Sequence, residues 1–108
     1  MSKIFTGTGL VTVEVVGDSM TERGIYDGDM VVVRQIPETP DNSVVLAWVP
    51  SNEGGGLTIK KYAHGMLYPE TKNDAHEPME LPRDARIYGV YEGLVRRHRT
   101  VKKQRRRV

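Results

Sequence analysis

Residues 10–33 read LVTVEVVGDSMTERGIYDGDMVVV, two valine-rich runs around a segment rich in glycine and aspartate. Valine is β-branched and favours strands. The alternation from Leu10 to Val16 is typical of a half-buried strand, and the tight-turn signal DGD leads into a second strand over Met30 to Arg34. Between the two strands we predict one short helical turn over Met20 to Tyr26, which Gly24 closes.

The same pattern of short strands continues along the chain. Further strand candidates lie at Val44 to Val49, Leu57 to Ala63, Met66 to Tyr68 and from Ile87 onward, and a polar loop covers residues 69–82. No segment keeps a 3.6-residue apolar period, and no internal repeat occurs at a fixed spacing. We therefore predict a mostly β, β-barrel-like fold of short strands with one helical turn after the serine of GDSM.

Length and composition indicate one globular domain. The chain has 108 residues, of which 38% are hydrophobic and 28% charged, and it has no cysteine. Disulfides, thiolate metal sites and cysteine nucleophiles are therefore excluded. The longest apolar run, Val44 to Val49, is far shorter than the ~20 residues of a membrane span, and the first residues lack a secretory signal. We expect a cytoplasmic protein without membrane contact.

The histidines carry no metal-ligand pattern. His64 and His76 have no companions at ligand spacing, and both lie in polar stretches of the sequence. A zinc site needs several His, Cys, Asp or Glu ligands that converge on one point. We interpret both histidines as polar loop residues and expect no metal and no cofactor.

Charge divides the chain into a body, residues 1–95, and a basic tail, residues 96–108. The last thirteen residues hold eight Lys or Arg and no acid, so the body carries a net charge of about −6. Such a tail either is a solvated extension or attracts nucleic acid or another anionic partner by charge. The candidate contact residues are Arg96, Arg97, Arg99, Lys102, Lys103, Arg105, Arg106 and Arg107.

The GDSM stretch at residues 17–20 places a serine at a sharp strand-to-turn junction. This position suits either a simple capping turn or a small anion site made by backbone N–H groups. The stretch is followed by DGD at 27–29, TIKKY at 58–62 and LYPE at 67–70. In this order and spacing, roughly residues 11–96 resemble the C-terminal peptidase domain of LexA-type repressors, UmuD-type mutagenesis proteins and phage repressors of the lambda class.

The resemblance implies that Ser19 is a nucleophile and Lys60 its general base, acting on a peptide or protein substrate. A lysine in an apolar cleft has a lowered pKa and can accept the proton of a serine. Strand alternation puts Lys60 and Lys61 on opposite faces, so only one of them can face Ser19. We expect the backbone N–H groups of Asp18 and Ser19 to hold the oxyanion.

The resemblance also implies a homodimer, paired through the last strand around Val90 to Val95, and a role in the SOS response, phage repression or another stress response. The surroundings of the motifs differ from those families. Only eighteen residues precede Ser19 in this sequence, so we expect no helix-turn-helix domain, and no Ala-Gly or Cys-Gly bond for self-cleavage occurs in it. A stand-alone member acting on another protein, a form like a processed product, and a domain that keeps its Ser-Lys pair without a substrate all stay open.

The main alternative is a module without catalytic activity. In this hypothesis the folded domain forms a dimer, and the basic tail binds nucleic acid.

Overall fold

The computed structural model describes residues 3–5, 9–50 and 55–96. These residues form eight strands and one 3₁₀ turn, Thr21–Arg23. The strands are β1 (Lys3–Phe5), β2 (Leu10–Glu14), β3 (Met30–Arg34), β4 (Ser43–Val49), β5 (Gly56–Ala63), β6 (Met66–Tyr68), β7 (Met79–Glu80) and β8 (Arg86–Val95). They join in one antiparallel sheet in the order β1-β2-β3-β8-β4-β5-β6-β7. The predicted mostly β class is confirmed.

Two strands were not predicted. β1 lies in the segment before Leu10, and β7 lies inside the stretch 69–82 that the sequence indicated as a loop. β1 is three residues long and β7 is two, and each forms on a neighbouring strand, β2 and β6 respectively. Strands this short depend on the partner strand rather than on their own propensity, so the sequence pattern did not indicate them.

The sheet curls so that distant strands share one core. Alternate residues of β2 and β3 are buried, and they pack in a single cluster with residues of β4 and β5. This cluster includes Val11, Val13, Val31, Val33, Val44, Leu46 and Ile59. In a flat sheet β2 could not contact β5, because β3, β8 and β4 lie between them in the strand order. The curled sheet agrees with the barrel-like prediction and brings the β2–β3 connection up to β5.

The connection between β2 and β3 contains the predicted helical turn. Gly24 ends the turn with a φ of 85°, in the left-handed region that favours glycine, and its N–H donates to the Thr21 carbonyl at 3.0 Å. Met20 and Ile25 are buried on either side of the turn. The described part of the chain holds no helix fit to span a bilayer.

A buried carboxylate joins the end of β8 to this connection. Asp29 is 2% exposed and accepts hydrogen bonds from the Tyr26 N–H and from Nε and Nη2 of Arg96, each at 2.8 Å. The Arg96 guanidinium also donates to the Gly24 carbonyl at 3.0 Å and lies 5.0 Å from the centroid of the Tyr26 ring. The hydrogen bonds from Arg96 hold the pKa of Asp29 below its usual range.

Arg96, assigned to the tail from its sequence, is therefore bound to the body. The other predicted tail contacts lie outside the described residues: Arg97, Arg99, Lys102, Lys103, Arg105, Arg106 and Arg107.

We expect Arg96→Ala to lower the free energy of unfolding at pH 7, because a buried carboxylate loses its charged partner. The folded-state pKa of Asp29 is lowered, so its contribution is complete above the unfolded value of 3.8 and is lost as the pH falls through the folded pKa. The difference between wild type and variant in urea denaturation should thus be smaller at pH 3 than at pH 7. The control is Arg34→Ala, which removes the ion pair with Glu92 between two well-exposed side chains. Equal losses in the two variants would contradict this account.

Candidate active site

A cleft of about 160 Å³ opens between the end of β2 and the middle of β5. It is lined by residues 15–20, by residues 57–60 and by His76. The first segment contains GDSM and the second contains the lysine of TIKKY. The curl of the sheet therefore places the two sequence motifs on opposite walls of one cleft.

Ser19 and Lys60 meet in this cleft. The Nζ atom of Lys60 lies 2.9 Å from Oγ of Ser19, 2.6 Å from Oγ1 of Thr58 and 3.2 Å from the carbonyl oxygen of Ile59. Burial lowers the pKa of the Lys60 amine. A neutral amine can donate its two hydrogens to Thr58 and Ile59 while its lone pair faces the serine hydroxyl. This arrangement suits the transfer of a proton from Ser19 to Lys60.

The register of β5 decides which lysine enters the cleft. Lys60 lies opposite Val45 of β4, and the next residue, Lys61, lies opposite Val44. Successive side chains of a strand point to opposite faces of the sheet. Lys60 and not Lys61 has the hydrogen bond to Ser19.

The turn that carries Ser19 is held on both sides. On its N-terminal side, the N–H of Gly17 donates to Oδ1 of Asp27 at 2.8 Å, and Gly17 has a φ of 104°. On its C-terminal side, Met20 is buried in the core, and the Ser19 carbonyl accepts the N–H of Glu70 at 2.8 Å. The first aspartate of DGD, Asp27, thus fixes the turn that carries Ser19, and the second, Asp29, binds Arg96.

His76 lines the cleft, a position that its surroundings in the sequence did not indicate. Its Nε2 atom lies 2.6 Å from Oδ1 of Asp18, and Nδ2 of Asn73 donates to Oδ2 of Asp18 at 3.0 Å. These hydrogen bonds lower the pKa of Asp18, and the one with His76 has the larger effect. Asp18 and His76 are 58 residues apart in sequence, and no local spacing signals their contact.

The other histidine lies elsewhere. The backbone N–H of His64 donates to Oδ1 of Asp41 at 3.0 Å, at the start of the β5–β6 hairpin turn. Among the described residues, no three His, Cys, Asp or Glu side chains converge in a way that could hold a metal ion.

Comparison with known proteins identifies relatives of the chain. The model of the Peptidase S24-like family matches residues 1–91. LexA repressor 2 of Pseudomonas syringae pv. tomato is 38% identical over 97 residues, which are 86% of this chain and 46% of the relative. The LexA repressor of Geobacillus kaustophilus is 38% identical over 91 residues, 81% of this chain and 41% of the relative. The chain spans less than half the length of these curated relatives.

We predict that the Lys60 amine loses its proton at a lower pH than an ordinary lysine, whose pKa is 10.5, because burial disfavours the ammonium form. The measurement is the ¹³Cε chemical shift of ¹³C-labelled lysines as a function of pH. The Lys60 signal is assigned by its loss in Lys60→Arg and its retention in Lys61→Arg. A midpoint at or above 10.5 for this signal would contradict the prediction.

Proposed function

The chain belongs to the peptidase S24-like family, and on this basis we propose that it is a LexA-like serine peptidase domain with Ser19 and Lys60 as its catalytic pair. The main support is the 2.9 Å separation of Oγ and Nζ in a cleft where burial lowers the pKa of the amine. A serine hydroxyl is a weak nucleophile without an adjacent base, and a neutral lysine is a sufficient base.

The reaction would proceed in two stages. Neutral Lys60 takes the proton of Ser19 as Oγ attacks the carbonyl carbon of a peptide bond, and the backbone N–H groups of Asp18 and Ser19 hold the oxyanion. The intermediate collapses, the C–N bond breaks, and the Lys60 ammonium returns the proton to the leaving amine. Lys60 then removes a proton from water as the water oxygen attacks the ester carbon. The bond between Oγ and the acyl carbon breaks, the Lys60 ammonium returns the proton to Oγ, and the acid product leaves.

We propose an extended peptide segment outside residues 1–108 as the substrate. Ala-Gly and Cys-Gly bonds are missing from these residues. Val16, Leu57 and Met20 contribute apolar side chains to the lining of the cleft, and a peptide chain would lie against them. The curated relatives are LexA repressors, so we propose a cytoplasmic role in SOS, stress or phage-repressor regulation.

We also propose that the domain forms a homodimer through β8. β8 lies between β3 and β4, and its pairing with β4 ends at Val90, whereas its pairing with β3 continues to Val95. Residues 91–95 thus have one strand neighbour along β3, and antiparallel pairing with a second copy would supply the other. We therefore propose residues 91–95, the last five residues of the segment expected from the sequence, as the dimer contact.

Ser19→Ala and Lys60→Met should each lower peptide cleavage by about 10³-fold or more, because each removes one half of the catalytic pair. The assay incubates the protein with a library of proteome-derived peptides and detects new peptide ends by mass spectrometry. Lys61→Ala is the matched control and should stay within about twofold of wild type. The rate should rise with pH as Lys60 loses its proton and level off below pH 10.5, since burial lowers this pKa.

Two outcomes would count against the proposal. One is cleavage by Ser19→Ala at the wild-type rate, and the other is an equal loss in Lys61→Ala and Lys60→Met. If wild type cleaves no peptide at any pH, a second candidate function gains support.

That second candidate is a non-catalytic dimerisation module that binds nucleic acid, and the basic tail favours it. If the seven basic residues after Arg96 each contact a phosphate, the logarithm of the affinity for duplex DNA falls with the logarithm of salt with a slope of about −6. Truncation should follow Arg96, because this residue binds the buried Asp29. DNA binding by the truncated protein at full affinity would refute the model in which the tail binds DNA. Light scattering measures the mass of the full-length and truncated proteins and so shows whether each is a dimer.

A further inference from the structure

The segment that follows β6 lies directly against the turn that carries Ser19. The N–H of Glu70 donates to the Ser19 carbonyl at 2.8 Å, and the Glu70 carbonyl accepts the N–H of Glu22 at 2.7 Å. The hydroxyl oxygens of Thr21 and Thr71 are 3.0 Å apart. The β2–β3 connection and the segment after β6 are thus joined by hydrogen bonds on the C-terminal side of Ser19.

The same segment also reaches the N-terminal side of the serine, through Asp18. Oδ1 of Asp18 contacts Nε2 of His76 at 2.6 Å, and Oδ2 accepts Nδ2 of Asn73 at 3.0 Å. Both carboxylate oxygens therefore have a partner on one loop. Asp18 directly precedes Ser19, and its side chain is 54% exposed, so the core does not hold it in place.

Local hydrogen bonds preset the shape of this loop. Oδ1 of Asn73 accepts the N–H of Ala75 at 3.0 Å, and the Asn73 carbonyl accepts the N–H of His76 at 3.1 Å. The N–H of Asn73 donates to Oγ1 of Thr71 at 3.2 Å. The Asn73 and His76 side chains are thereby aimed at the same carboxylate before any substrate binds.

We propose that His76 and Asn73 are positioning residues that act through Asp18 to hold the backbone between Asp18 and Ser19 in the orientation that catalysis needs. The inference rests on the proposed function, in which this backbone binds the oxyanion. Displacement of a catalytic group by about 1 Å can cost about 10²-fold in rate. The two donors also direct the negative charge of Asp18 toward the loop and away from the oxyanion, which carries the same charge.

The test compares His76→Ala, His76→Gln and Asn73→Ala with wild type, using the peptide that wild type cleaves best. His76→Ala should lower kcat about 10- to 100-fold and leave KM within about twofold, because the defect lies in the orientation of the turn and not in peptide binding. His76→Gln keeps an N–H donor for Asp18 and should recover most of kcat. Asn73→Ala should have a smaller effect than His76→Ala, since it leaves the shorter contact in place.

His64→Ala is the matched control, because His64 also lies beside an aspartate but on the β5–β6 turn, away from the cleft. Its kcat should equal that of wild type. Amide ¹⁵N relaxation adds a readout without substrate: His76→Ala should increase the motion of the Ser19 amide, whereas His64→Ala should not.

The outcomes separate the two proposals. Inactivity of wild type towards every peptide overturns the proposed function, and with it the catalytic role of the loop. Activity of His76→Ala equal to wild type overturns only the positioning role. Equal losses of kcat in His76→Ala and His76→Gln, together with a lowered Tm in both, would show that His76 only stabilises the loop. That result would also overturn the positioning role.

Discussion

The hydrogen bond between Ser19 and Lys60 depends on the burial of a lysine amine in a cleft between two parts of one curled sheet. A lysine on a flat, exposed strand would stay solvated and keep an ordinary pKa of about 10.4. The valines of β2 and β3 pack in one core with the apolar residues of β4 and β5. This packing brings residues 15–20 close to residues 57–60, which form the two walls of the cleft. The packing that stabilises the domain is thus the same packing that lowers the pKa of Lys60.

Charges in the cleft are kept apart. Asp18 and Lys60 both line it, and an ion pair between them would raise the pKa of the amine. The hydrogen-bond partners of the Asp18 carboxylate are instead His76 and Asn73, and those of the Lys60 amine are uncharged groups. The loop after β6 therefore supplies the hydrogen-bond partners of the carboxylate next to Ser19.

β8 connects the two parts of the sheet on which the site is built. It pairs with β3 along one edge and with β4 along the other, and so joins the two parts of the sheet that carry the motifs. At its end, Arg96 binds the buried Asp29 in the connection that contains Ser19. Gly89 on β8 has no space for a side chain, because an added Cβ would lie 2.4 Å from the Arg34 carbonyl oxygen. The position of the turn that carries Ser19 thus depends on contacts from β8 and from Arg96, which follows it.

The sequence by itself determined the mostly β class, the helical turn ended by Gly24 and the motifs that contain Ser19 and Lys60. These features follow from local rules, namely the two-residue period of strands, the freedom of glycine at positive φ and the order of short motifs. Only the tertiary structure brought Lys60 to Ser19, placed His76 beside Asp18 and bound Arg96 to the body. These contacts join residues 41, 58 and 67 positions apart. They depend on the curl of the sheet and the path of a loop, which side-chain periodicity does not encode.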